Sequence, residues 1–115
     1  EQLEAARWLP YLKEGGRVIV STQEIDPMPV ITGAAKYPEH LIAKMEAAGV
    51  QVDAMDALAL AEEAGSAKAV NLVLMGRLSR YFDLPEEAWR KAIEVTVPAK
   101  FLELNQKAFS LGRGE

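Results

Sequence analysis

The sequence has no cysteine, a single histidine and few aromatic residues. The missing thiols exclude disulfides, a cysteine nucleophile, thiolate zinc sites and iron–sulfur ligation by this chain. The lone imidazole, His40, cannot build a multi-histidine metal site. Basic excess is also missing: 13 Lys and Arg stand against 17 Asp and Glu, a net charge of −4. Such a balance lacks the electrostatic footprint of a nucleic-acid binder, so no nucleic-acid partner is expected. No basic amphipathic stretch suits a membrane surface, and no signal peptide or lipidation motif is visible. Freedom from cysteine fits a cytoplasmic protein.

What is present is a large apolar share, 50% of 115 residues, enough for one packed domain over 1–115. The most informative stretch begins after Lys68, where Ala69, Val70, Asn71, Leu72, Val73, Leu74, Met75 and Gly76 carry no charge. Apolar on nearly every side, it predicts a helix buried all round. It is far shorter than the roughly 20 residues that cross a bilayer. Asn71 then has to find hydrogen-bond partners in the interior.

The remaining elements read from periodicity and punctuation. Leu3, Ala6, Leu9 and Leu12 suggest a helix interrupted at Pro10 and ended by Gly15-Gly16. Arg17–Ser21 reads as a buried strand, and the alternating Val50–Ala54 as a second strand. Val30–Thr32 reads as a brief edge strand among prolines. A helix opens at Tyr37-Pro38-Glu39, with Leu41, Ile42, Met45 and Ala48 as its apolar face and Gly49 as its stop. Asp56 caps a helix running through Ala64, and Ser66 caps the central helix, which extends to about Phe82. A further helix starts near Glu86-Glu87 and stops near Val95, because Pro98 biases Val97 away from helical angles. In the last helix Phe101, Leu104, Ala108 and Leu111 form one stripe and Leu102, Asn105 and Phe109 a second. Lys100, Glu103, Lys107 and Ser110 are left for solvent, and Gly112-Arg113-Gly114-Glu115 reads as a frayed tail. Strands separated by helices predict an α/β layer structure. The sheet is thin for so many helices, and the chain opens in a helical pattern without methionine. Both suggest a piece of something longer, with N-terminal strands absent.

No active site emerges from spacing. His40 has only Glu39 and Lys44 nearby and reads as a surface residue. Glu62-Glu63 and Glu86-Glu87 are adjacent pairs that do not share a face, so they read as solvated. Gly15-Gly16 precedes a strand, unlike the dinucleotide fingerprint, and Gly33–Lys36 lacks the second glycine and the hydroxyl of a P-loop. The aromatic residues Trp8, Tyr11, Tyr81, Phe82 and Trp89 read as core and rim. Asn71 and Asn105 read as buried amides bonded to each other, to backbone or to water, with presentation at a subunit interface as the functional alternative. Gly76, costly in a helix interior, points to close approach of another backbone.

The run Asp56–Gly65 followed by Lys68–Gly76 resembles the gamma-type subunit of 2-oxoacid:acceptor (ferredoxin) oxidoreductases. The ending Val97–Arg113 is most similar to the beta subunits of indolepyruvate:ferredoxin oxidoreductases, and the opening Leu3–Gly16 fits the same family. The resemblance covers the C-terminal part of the family domain only. It implies a three-layer Rossmann-like α/β fold, incomplete here at two or three strands, with a helix-rich C-terminal half. It implies a role in oxidative decarboxylation of 2-oxoacids such as indolepyruvate to acyl-CoA, with electrons passed to ferredoxin. Thiamine diphosphate and iron–sulfur clusters are expected in the large (alpha) partner subunit and none in this chain, which alone is expected to be inactive. No family motif for either cofactor has a matching position, so no catalytic, cofactor-binding or metal residue is carried over. Asn71, Gly76, Asn105 and Phe109 are the candidates for holding the helical half together or contacting the partner. A pyruvate or 2-oxoglutarate oxidoreductase subunit, a non-enzymatic regulatory module and an independent nucleotide-binding protein are the alternatives. An exposed sheet edge predicts a homo-oligomer of the fragment.

Overall fold

A computed structural model describes residues 1–114 of the chain. The chain divides into two compact units, Glu1–Met55 and Asp56–Glu115, and the expected α/β character holds.

The first unit begins with α1 (Gln2–Arg7). The Glu1 carboxylate caps it by accepting from Glu4 N–H at 2.7 Å. A 3₁₀ turn, Leu9–Tyr11, follows where Pro10 prevents the helix from continuing. The chain then reverses through a turn at Gly15 (φ 70°), so this glycine serves a turn before a strand rather than a helix end. The β-branched run Val18-Ile19-Val20 forms the centre of β1 (Arg17–Ser21), which pairs in parallel with β2 (Gln51–Met55). Arg17 lies opposite Gln51 and Ser21 opposite Met55. The connection between them carries α3 (Leu41–Ala47), whose Leu41 and Met45, one turn apart, are buried with Val20 and Met55. Helix α1 packs on both β1 and α3, and α3 packs on β2. Both helices therefore cover the same face of the strand pair.

Two expectations fail here. Val30–Thr32 is not an edge strand. Val30 and Ile31 belong to a single helical turn, α2 (Met28–Ile31), which Thr32 caps, with Pro29 in its first turn and the Pro27 carbonyl accepting from Val30 and Ile31 N–H. Proline at that position presets the helical φ and leaves no ladder donor for a strand. Helix α3 also starts at Leu41 rather than at Tyr37. His40 precedes it in the left-handed region (φ 57°), which ends any continuous helix from Pro38.

The second unit is helical. Helix α4 (Ala57–Ala64) is capped by Asp56, whose Oδ1 accepts from Ala59 N–H at 3.0 Å, as the sequence predicts. The Ser66 hydroxyl caps a 3₁₀ turn, Ala67–Ala69, that leads into α5 (Val70–Ser79). Helix α6 (Glu86–Thr96) stops where Val97 turns extended ahead of Pro98. A 3₁₀ turn, Ala99–Phe101, precedes α7 (Leu102–Arg113). Gly112 and Arg113 are helical and Gly114 closes α7 in the left-handed region, so the frayed-tail reading is wrong for them; Glu115 lies outside the described residues. The core of this unit is Ala57, Ala61, Ala69, Val73, Ile93, Ala108 and Phe109.

The central helix departs most from expectation. Only Val73, Gly76 and Ser79 of α5 are buried, a stripe of period three, and the helix ends at Ser79. Met75 and Leu78 keep 38% and 37% of their surface exposed, and Asn71 is exposed. The segment is thus sheathed on one side by this chain, not all round. Trp8, Tyr11, Tyr81 and Phe82 are likewise exposed rather than core.

Candidate functional site

Asn71, Gly76, Asn105 and Phe109 all lie in the helical unit, and the structure separates them. Gly76 and Phe109 are internal. A Cβ placed on Gly76 would overlap the Phe109 carbonyl oxygen and sit 2.9 Å from Arg113 N. A Cβ on Gly112 would overlap the Val73 carbonyl oxygen and sit 2.8 Å from Val73 Cα. Helices α5 and α7 therefore meet backbone on backbone, each through its own glycine, and the close approach expected at Gly76 is found. Phe109 fills the space beside this contact with no solvent exposure. Trp89 stacks at a tilt 6.4 Å from it and the Arg90 guanidinium lies 5.3 Å from its ring centre.

The two amides do not pair. Asn105 donates from Nδ2 to the Phe101 carbonyl at 2.8 Å, one turn back, and so ties α7 to the 3₁₀ turn before it. Asn71 sits on the exposed side of α5, one turn before Met75. Its expected internal partners are not found among the described residues. The apolar run that suggested burial is flanked by this chain on one side only.

Arg90 joins α6 to α7, a role the sequence did not single out. It donates to Gln106 Oε1 at 3.1 Å, Ser110 Oγ at 2.7 Å and Glu86 Oε1 at 3.0 Å, while Gln106 Nε2 returns a bond to the Arg90 carbonyl. The same Glu86 oxygen is 3.4 Å from Arg113 Nε, and Arg113 also donates to Ser79 Oγ, which donates onward to the Gly76 carbonyl. Ser110 is thus a bonding partner rather than a solvent residue, and Glu86 is a strut rather than one of a solvated pair. The planar fork of arginine suits such convergent acceptors. Reading Glu86 and Arg90 as an (i, i+4) pair exposes part of this network in the sequence. The small residues Ala108 and Gly112, also four apart, are the signal that could have located the second glycine of the crossing.

Between α5 and α6 runs a groove of about 300 Å³, lined by Leu72, Met75, Trp89, Ala92, Ile93 and Val97 with Thr96. No charged side chain lines it. The Trp89 Nε1 donor is buried beside it without a hydrogen-bond partner, an uncommon state for a native polar group.

The first unit holds a different arrangement at the carboxyl end of β1. The connection from Thr22 to His40 is 19 residues, longer than most loops in compact domains. It is anchored by Glu1, whose Oε2 accepts from Tyr37 Oη at 2.6 Å and from Ile25 N–H at 3.1 Å. Tyr37 Oη in turn accepts from Leu3 N–H at 3.1 Å. Burial, then the bond to Glu1, pushes the Tyr37 phenol up to about 12. Burial alone would raise the Glu1 carboxyl. The hydrogen bonds from Tyr37 and from the Ile25, Glu4 and Leu3 backbone outweigh it and hold the group below its ordinary value. Neither residue was singled out from sequence, because their partners lie 24 and 36 positions away. His40 is exposed, 3.9 Å from the Glu39 carboxylate, and has no catalytic setting.

The residues present do not fit the cofactors that the resemblance places in the complex. No cysteine exists to hold an iron–sulfur cluster. Among the described residues no group of three His, Asp or Glu side chains converges for the divalent cation a bound diphosphate needs. No helix among them is long and apolar enough to cross a membrane.

Comparison with known proteins agrees with the sequence resemblance. The family model described as pyruvate ferredoxin/flavodoxin oxidoreductase matches residues 1–115. The chain is 40% identical to indolepyruvate oxidoreductase subunit IorB of Thermococcus kodakarensis over 97% of its length. It is 39% and 36% identical to the subunits of the same name from Pyrococcus horikoshii and Archaeoglobus fulgidus, again over 97% of its length. It spans 58% of the length of each of these relatives. No solved structure matches it. On the extent of the family match and the identity to these subunits, the chain belongs to the pyruvate ferredoxin/flavodoxin oxidoreductase family.

Proposed function

We propose that the chain is the C-terminal part of a beta-type subunit of a 2-oxoacid:ferredoxin oxidoreductase acting in the cytoplasm. The substrate class is indolepyruvate or a related arylpyruvate, decarboxylated oxidatively to an acyl-CoA, with ferredoxin as electron acceptor. Thiamine diphosphate and iron–sulfur clusters belong to the large subunit of that complex, and this chain contributes no catalytic group. Its two units are parts of one gamma-type domain, since the family match runs through both. Its task is to pack against the large subunit. By itself it is inactive and associates with itself through its exposed sheet edge.

The observation that carries the reading is the identity to three indolepyruvate oxidoreductase subunits over nearly the whole chain. The exposed side of α5 supports the packing role. Asn71, Met75 and Leu78 lie on a helix whose composition suits burial, beside an uncharged groove. Co-expression of the full-length subunit with the large subunit tests it. The two are expected to co-purify and to reduce ferredoxin with indolepyruvate and CoA. Met75→Asp with Leu78→Asp should abolish co-purification while leaving the subunit folded. Absence of any complex with the unaltered full-length subunit would defeat the reading.

A further inference from the structure

The buried indole N–H of Trp89 has no use inside the helical unit. Its Nε1 lacks a hydrogen-bond partner among the described residues. A buried donor left unpaired has lost its water and gained nothing in exchange, and a buried tryptophan N–H ordinarily finds an acceptor. The ring itself is well held. It packs on Phe82 and Phe109, with centroids 6.1 and 6.4 Å away, and Phe109 is fully buried. Trp89 is therefore fixed in the wall of the α5–α6 groove that it helps to line.

The groove supplies no acceptor of its own. Thr96 carries its one side-chain hydroxyl, and Trp89 Nε1 makes no bond to it. With no charged side chain in the lining, a carboxylate, phosphate or ammonium would lose its water there without a counter-charge. The occupant that fits is neutral, apolar in bulk and equipped with an acceptor. Met75 is unbranched and 38% exposed, so it can swing aside to admit that acceptor without moving its helix.

The surroundings narrow the occupant further. The α5 wall continues in a row of exposed residues, Asn71, Met75 and Leu78, spaced four and three apart and so on one face. The row covers two turns, roughly 10 Å, the reach of about three extended residues. Asn71 stands at one end of it with an amide that both donates and accepts. An apolar cleft flanked by an indole N–H and a primary amide matches a peptide segment. A large apolar side chain fills the cleft, a backbone carbonyl accepts from the indole, and a neighbouring peptide group pairs with Asn71. A small neutral ligand would use the cleft but leave Asn71 and Leu78 uncovered.

We infer that Trp89 anchors the subunit contact: its Nε1 donates to a carbonyl of an uncharged, apolar segment of the large subunit seated between α5 and α6, with Asn71 pairing to the backbone of the same segment. This rests on the reading that the chain packs against a large subunit, and it adds the chemistry of the segment and the residue that holds it. Tryptophan is enriched among the few residues that dominate binding energy at the dry centre of interfaces.

Replacing Trp89 by 3-benzothienylalanine exchanges the indole N–H for sulfur and keeps the shape of the ring. The replacement is made in the full-length subunit, with Lys107→Ala, exposed on α7, as control. Two quantities are read: the urea midpoint of the subunit alone and its affinity for the large subunit. The expected effects do not run together. The midpoint holds or rises, because an unpaired donor is gone, while affinity falls by about tenfold. Asn71→Ala should weaken affinity by about threefold at an unchanged midpoint, and Lys107→Ala should change neither. A midpoint that falls with the analogue reveals an acceptor within the folded subunit and overturns the inference. So does unaltered affinity in a complex that still forms, a result that leaves the packing reading standing. So does an effect confined to self-association of the subunit, followed by sedimentation without the partner, which makes the occupant a second copy. If the unaltered subunits form no complex, the packing reading falls and this inference with it.

Discussion

Gly76→Ala separates two opposite expectations by several kcal/mol. On an exposed helix, alanine in place of glycine stabilises by about 1 kcal/mol through propensity. Here the added methyl would overlap the Phe109 carbonyl oxygen and lie 3.0 Å from Phe109 C, both backbone atoms of α7 that no rotamer change can move. Relief requires α5 and α7 to separate by roughly 1 Å. A gap of that order forfeits a quarter to a half of each dispersion contact across it, and those contacts involve Val73 and Phe109, both fully buried. Overpacking and lost contact together cost about 3–5 kcal/mol. Subtracting the propensity gain leaves net destabilisation of about 2–4 kcal/mol. Urea unfolding followed by Trp89 fluorescence, in a Trp8→Phe background so that the helical unit alone reports, should show the midpoint falling by about 1–2 M. Gly112→Ala should behave alike. The double variant should cost less than the sum, because the first methyl already parts the helices. An unchanged or raised midpoint for Gly76→Ala would refute the backbone-contact argument.

Tyr37→Phe removes the hydroxyl that donates to Glu1 and accepts from Leu3 N–H, and should destabilise the first unit by about 1–2 kcal/mol. Because the folded phenol titrates near 12 against an ordinary 10, its contribution is intact below pH 10 and lost as pH rises toward 12. Urea melts at pH 9 and pH 11 should therefore show a larger alkaline loss in the parent than in the variant. The Glu1 carboxyl, held below its ordinary 4.5, contributes above that pH and loses its contribution on acidification through its folded value, so Glu1→Gln should flatten the acid limb of the stability profile. Arg90→Lys keeps the charge but not the fork to Gln106, Ser110 and Glu86, and should lower stability by about 1–2 kcal/mol in the same fluorescence assay. Asn71→Ala should leave the stability of the isolated chain within about 0.5 kcal/mol, since the side chain is exposed.

Much of the local structure was legible in the order of residues. Asp56 and Ser66 cap the elements they precede, Pro98 ends α6 at Val97, and the β-branched run at 17–21 is a strand. Each of these depends on atoms within a few residues of one another, and that is the range over which capping, proline geometry and side-chain branching act. The edge strand at Val30–Thr32 was misread at the same range, because Pro29 could serve equally as a strand-edge mark or as the first turn of a helix. For the candidate site, Gly76 was legible as a point of backbone approach, but what approached it was not.

The chain of letters alone determined both strands and most of the helices, the absence of thiol and multi-histidine chemistry, and the family to which it is similar. Only the tertiary structure decided that Gly112 is the partner of Gly76, that Glu1, Ile25 and Tyr37 lock one loop, and that the uncharged helix is covered along one stripe while Asn71 faces out. The reason is physical. Propensity and caps are local energies readable from neighbours, whereas burial depends on which distant surfaces meet, and an apolar run states only that it favours cover without naming what supplies it.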